Sequence, residues 1–126
     1  MHLELFAARR VVLIPPGIGV APPRRRVGAY VRGGRCSYPL RTREPTGVVE
    51  VAAGRALTLG DLFAVWGQPL SRTRMAGFNA RVRAYVNGRS FTNAPGRIRL
   101  DHHVQIVLEV GAYVRPHAHY RFAPGL

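Results

Sequence analysis

Residues 36–66 read CSYPLRTREPTGVVEVAAGRALTLGDLFAVW, and the second half of this stretch decides the fold. Thr58 stands three residues before Asp61, the spacing of a capping box with Asp in place of the usual Glu. Leu59, Leu62, Phe63 and Trp66 follow at i, i+3, i+4 and i+7, which is one apolar stripe of an amphipathic helix. Gly67 occupies the C-terminal capping place and Pro69 lies beyond it. The spacing predicts one helix over about 58–66, the only one of substance in the chain. Upstream, Glu44-Pro45-Thr46-Gly47 has proline at i+1 and glycine at i+3 of a turn. Val48 to Ala53 then reads as a strand, with Val49 and Val51 on one face and Val48 and Glu50 on the other.

On either side of this stretch the signals are those of strands. His2 to Ala7 alternates, with Leu3 and Leu5 opposite His2 and Glu4. With the β-branched run Val11 to Ile14 it suggests a first hairpin, ended by Pro15-Pro16-Gly17. Ile18 to Val20 is expected to be a further extended piece. Residues 21–35 read as a surface loop rich in Pro, Arg and Gly, with Val27 to Val31 as a short edge strand. Residues 70–80 read as a loop, or at most a helical turn. Asn87-Gly88 is the strongest hairpin signal, because a type I′ turn needs positive φ at both centres. It joins Arg81–Val86 to Arg89–Thr92. Asn93 to Gly96 is another turn. Val104, Ile106, Leu108 and Val110 mark a last strand before an irregular surface tail at about 116–126. The expected architecture is a single α+β domain over 1–126. It is mostly strand, with one main helix packed across a mixed, β-grasp-like sheet.

Nineteen arginines, no lysines and six acids give a formal charge of +13. Such a balance favours anionic partners: nucleic acid, another polyanion or an acidic surface. The lack of Lys and the spread from Arg9 to Arg121 fit a compositional bias toward Arg equally well. The only tight run is Arg24-Arg25-Arg26. A single Cys excludes an internal disulfide, and no apolar run approaches the ~20 residues of a membrane span. Arg9-Arg10 and Pro15-Pro16 break the N-terminal apolar stretches, so these carry no export signal.

Seven short motifs occur in order along nearly the whole chain. They are Pro16-Gly17-Ile18-Gly19-Val20, Thr46-Gly47-Val48-Val49, Leu57-Thr58-Leu59-Gly60-Asp61-Leu62-Phe63, Trp66-Gly67-Gln68-Pro69-Leu70, Val86-Asn87-Gly88, Gln105-Ile106-Val107-Leu108-Glu109-Val110-Gly111 and Phe122-Ala123-Pro124-Gly125-Leu126. Together they resemble an uncharacterised, His-rich domain of exported or membrane-anchored actinobacterial proteins. The resemblance implies an extracytoplasmic or membrane-associated setting and a surface that binds copper or zinc. Its implied ligands are His at alternate positions before the first strand, a Cys, a Leu-His-Thr-His segment and a His in the strand after Thr-Gly. His2 and Cys36 match that pattern. Leu40-Arg41-Thr42-Arg43 has Arg at both His places, and Glu50 stands at the third. A guanidinium has no lone pair to offer a cation. The resemblance therefore implies a degenerate member with its metal site lost. Arg41 and Arg43 would point the same way along a strand, and Glu50 could pair with one of them.

The residues themselves offer no catalytic constellation. Cys36 has no neighbouring signature of a nucleophile. The six acids show no spacing that demands acid–base work, and Ser37, Ser71 and Ser90 lie in no nucleophile elbow. His102 and His103 are adjacent and look like turn residues. His117 and His119 share a face if extended and form half a metal site, against the simpler reading of a solvated tail. Arg81, Arg83 and Tyr85 alternate and can present cations and a stacking ring to nucleic acid, against the simpler reading of a solvated sheet face. The leading expectation is a non-catalytic binding or structural module without a cofactor. One alternative is copper or zinc binding through His2, Cys36, His117 and His119. The other is electrostatic binding of a polyanion through Arg24, Arg25, Arg26, Arg81 and Arg83.

Overall fold

A computed structural model describes residues 1–19, 25–27, 30–33, 39–52, 54–122 and 124, with the backbone alone for 25–27 and 30–33. Strand β1 (His2–Ala7) turns back into β2 (Arg10–Val12) through Ala8 and Arg9. Both turn residues have positive φ, 50° and 67°, so the tight turn is made without glycine or asparagine. The expected extended piece at Ile18 is instead a turn over 16–19, because two ladder-like bonds draw it onto Thr42. Gly17 N–H donates to Thr42 O, and Thr42 N–H donates to Ile18 O. Thr42 is fully buried, and its hydroxyl donates to Pro15 O while accepting from Ile18 N–H. Within the expected surface loop, β3 (Arg25–Val27) and β4 (Tyr30–Gly33) form an antiparallel hairpin, two strands where one was expected. Val20, Arg24 and Cys36 lie outside the described residues.

The Leu40–Arg41 strand, β5, pairs antiparallel with β6 (Glu50–Val51). The strand expected over 48–53 is thus shorter, since Val48 bridges to His2 and Val49 N–H donates to Met1 O. Gly47, at φ 80°, brings the turn against Leu3: Leu3 N–H donates to Gly47 O, and an added Cβ would meet the Leu3 carbonyl. Helix α1 runs Leu59–Trp66 with Thr58 as N-cap. Its capping box is complete: Asp61 N–H donates to Thr58 Oγ1, and Thr58 N–H donates to Asp61 Oδ2. Gly67 closes the helix at φ 80°. Leu59, Leu62 and Phe63 are fully buried, while Trp66 is half-buried at the edge of the core, 5.3 Å from Phe63.

Residues 70–80 are neither loop nor helical turn. They form three two-residue strands, β7 (Leu70–Ser71), β8 (Arg74–Met75) and β9 (Phe78–Asn79), folded back on one another with Met75 buried. Then come β10 (Arg83–Val86) and β11 (Arg89–Phe91), joined by Asn87-Gly88 at φ 50° and 82° as a type I′ turn requires. A 3-10 turn (Pro95–Arg97) and β12 (Gln105–Val110) follow.

The main sheet has the order β11-β10-β12-β1-β2. Its central pair is parallel, with His2 opposite Gln105 and Ala7 opposite Val110, and every other pairing is antiparallel. The chain is therefore mostly strand, with a mixed sheet and one short helix, an α+β arrangement. Leu3, Leu5, Ala84, Ile106, Leu108 and Val110 face the core that α1 completes. The opposite face carries His2, Glu4, Gln105, Glu109, Arg83 and Tyr85. All six residues of β12 are buried, because residues 111–122 cross this second face in irregular conformation.

Candidate functional site

Three clusters contain most of the described residues that the sequence singles out. The first surrounds Glu50. Arg41 Nη2 lies 3.5 Å from Glu50 Oε1 and Arg43 Nε lies 3.2 Å from Oε2, so one carboxylate bridges both arginines. The intervening Thr42 points inward, which leaves Arg41 and Arg43 on the same outer side. The Met1 amine donates to Val49 O at 3.0 Å. Burial pushes this amine below the usual α-amino range, and the nearby Glu50 charge opposes that shift. A cleft of about 490 Å³ opens beside this cluster, lined by Val49, Glu50, Arg55, Asp101, His102 and Phe122 among others. It mixes both signs of charge with apolar walls.

The second cluster lies on the sheet face opposite α1. The His2 ring is buried between two acceptors, with Nδ1 2.6 Å from Gln105 Oε1 and Nε2 2.8 Å from Thr46 O. Both ring nitrogens thus face oxygens at hydrogen-bond distance, inside a buried ring. Gln105 Nε2 donates to Glu4 Oε1 at 2.6 Å, and that oxygen also lies 2.8 Å from His117 Nδ1. Tyr120 stacks on His2 at 3.6 Å with a 6° interplanar angle. Tyr120 meets Phe122 edge-on at 5.1 Å, and a second stack runs from Phe122 to His103 at 4.3 Å and from His103 to His102 at 3.8 Å. The structure thus brings His2 and His117 to one carboxylate, an approach that their separation in the chain gave no means of foreseeing. His119 is exposed in the tail, and Cys36 is outside the described residues. Among the described residues, no group of three or more His, Cys, Asp or Glu side chains is placed to hold a metal ion. Among the described residues, the positions that the resemblance implies as metal ligands do not fit a metal: two are guanidiniums, one is Glu50 paired with both, and the His2 ring nitrogens face oxygens at hydrogen-bond distance.

The third cluster is a groove of about 720 Å³ between the β7–β8 turn and the β10–β11 hairpin. Arg72, Arg81 and Arg83 line it, together with Tyr85, Phe91 and Asn93. No carboxylate is among its lining residues. Arg72 donates to Thr92 O and Asn93 Oδ1, both neutral acceptors at 3.3 Å. Arg81 precedes β10 and is exposed. Val82 N–H donates to Arg72 O, which ties the two arginine-bearing segments together. Arg83 is held differently, 3.4 Å from the fully buried Glu109 and donating to Gly111 O at 2.7 Å. The sequence pointed to Arg81, Arg83 and Tyr85. It missed Arg72, which comes from the segment misread as loop. The side chains of Arg25 and Arg26, like the whole of Arg24, are outside the description.

Among the described residues no helix is long and apolar enough to cross a membrane. No protein-family model, curated protein or solved structure matches this chain.

Proposed function

We propose that this chain is a non-catalytic binding module of β-grasp-like architecture, in which an ion-pair cluster stands where the resembling His-rich domain has metal ligands. The sheet order supports the architecture: a hairpin, a helix, a second hairpin, and a last strand returning parallel to the first in the middle. Glu50 bridging Arg41 and Arg43 at 3.5 and 3.2 Å is the observation that carries the functional reading. Positions that would hold a cation hold two cations of the protein's own. Other acids are similarly committed to structure: Glu4 to Gln105, Asp61 to the helix cap and Glu109 to Arg83. The test is metal content of the reduced protein after incubation with copper and zinc and removal of excess. No stoichiometric metal is expected. About one equivalent, lost on Cys36→Ser, would show working residual ligands and overturn the reading.

The third cluster favours an anion as what the module binds. Arg72 and Arg81 at one groove without a lining carboxylate, beside an Arg83 offset by Glu109, give a positive, partly enclosed surface, in a chain whose charge is +13. Binding of inorganic polyphosphate that weakens steeply with salt is the expected behaviour. Salt-insensitive binding, or none, would remove it.

A further inference from the structure

Charge in the groove is unevenly spent. The buried Glu109 offsets Arg83. Arg72 meets only neutral oxygens. Arg81 is exposed, and among the described residues no carboxylate lies within ion-pair distance of it. Two cations therefore stay available at one end of the groove. Thr92 and Asn93 lie at that end, bonded to Arg72, and farther along the hairpin the lining reaches the half-buried Tyr85 ring and its cross-strand partner Ser90. Tyr113 meets Tyr85 edge-on at 6.4 Å and braces that ring from the tail side. Cations followed by a braced ring and hydroxyl or amide groups match a ligand that alternates phosphates with flat, polar-edged rings.

We propose that the groove binds single-stranded nucleic acid. Arg72 and Arg81 would meet successive phosphates, and Tyr85 would take the face of a base. The proposal rests on the anion-binding reading and narrows it. A duplex keeps its base faces stacked inside, whereas a single strand offers them to an aromatic side chain. A volume of about 720 Å³ lies inside the ~300–1,000 Å³ range of ligand pockets, room for a short stretch of strand. Recognition through phosphates and ring faces is tolerant of sequence.

The experiment is fluorescence anisotropy with labelled single-stranded DNA and RNA of mixed sequence, the matching duplex, and polyphosphate as competitor. Each would be run at several salt concentrations. Single strands are expected to bind more tightly than duplex, with log affinity falling linearly with log salt. Arg81→Gln should make that slope shallower by about 0.7, the loss of one phosphate contact on a single strand. Tyr85→Ala should weaken binding by roughly fivefold or more at unchanged slope, and Tyr85→Phe should restore it. The Phe variant and Arg81→Gln, an exposed site, keep the test decisive if Tyr85→Ala fails to fold. Duplex binding as tight as single strand would overturn the proposal. So would binding indifferent to Tyr85, or an unchanged slope in Arg81→Gln. In each of those cases the anion-binding reading stands. Absence of binding to every polyanion, even at about 50 mM salt, overturns both.

Discussion

His2 shows how much one side chain contributes when every polar atom has a partner. Its ring joins β1 to β12 through Gln105, to the Gly47 turn through Thr46 O, and to the tail through Tyr120. His2→Ala would remove one buried and one part-buried hydrogen bond and a stacked ring, and would leave Gln105 Oε1 without its partner. At about 1 kcal/mol for each bond, with a further 1–3 kcal/mol for a stranded group, a loss of roughly 2–4 kcal/mol is expected by urea unfolding. A loss below about 1 kcal/mol would mean that water replaces the imidazole at no cost, and the network would not be structural. At this scale the sequence was partly legible. Alternation put His2 and Glu4 on the face away from the core, and the structure has them there. The spacing could not reveal that Gln105 and His117 meet them, because contacts across 101 and 113 residues depend on strand order. Arg41 and Arg43 were readable as neighbours on one side. Glu50 reaches both rather than one, since β5 and β6 pair Arg41 directly with Glu50.

Among the elements, α1 was the most legible, because cap, stripe and stop each use a local rule that tertiary packing did not override. Packing does rank its stripe. Phe63 is 1% exposed and Trp66 only half-buried, so the smaller aromatic has the larger effect. Phe63→Ala should cost about 3–5 kcal/mol and Trp66→Ala clearly less, measured on one pair of denaturant curves. The reverse order would place the helix one step round its axis from the orientation described. The three strands between Leu70 and Asn79 were illegible for the opposite reason. Two-residue strands are too short to show alternation, and here buried Met75 and neighbouring turns hold them. The Ala8-Arg9 turn was likewise readable only as a connection, since neither residue advertises positive φ.

Across the whole molecule, an excess of thirteen positive charges opposes the compact state. Screening should relieve part of that repulsion, so the thermal midpoint should rise by about a few degrees between ~20 and ~200 mM sodium chloride. Nucleic-acid binding should weaken over the same range, so stability and affinity move in opposite directions. A flat or falling midpoint would mean that local ion pairs such as Arg41–Glu50–Arg43 outweigh the net repulsion. The α+β class was legible from the alternation of strand and helix signals, but sheet order was not, because no local pattern encodes which strands lie side by side. That order has a consequence during synthesis. β1 emerges from the ribosome before its partner β12, which follows about a hundred residues later, as the 103-residue separation of His2 and Gln105 shows. At roughly 5–20 residues per second, β1 waits about 5–20 s for the strand that completes the sheet. Throughout that interval the edge of β1 that β12 pairs with stays open on the nascent chain, which makes it a natural site for a chaperone to hold.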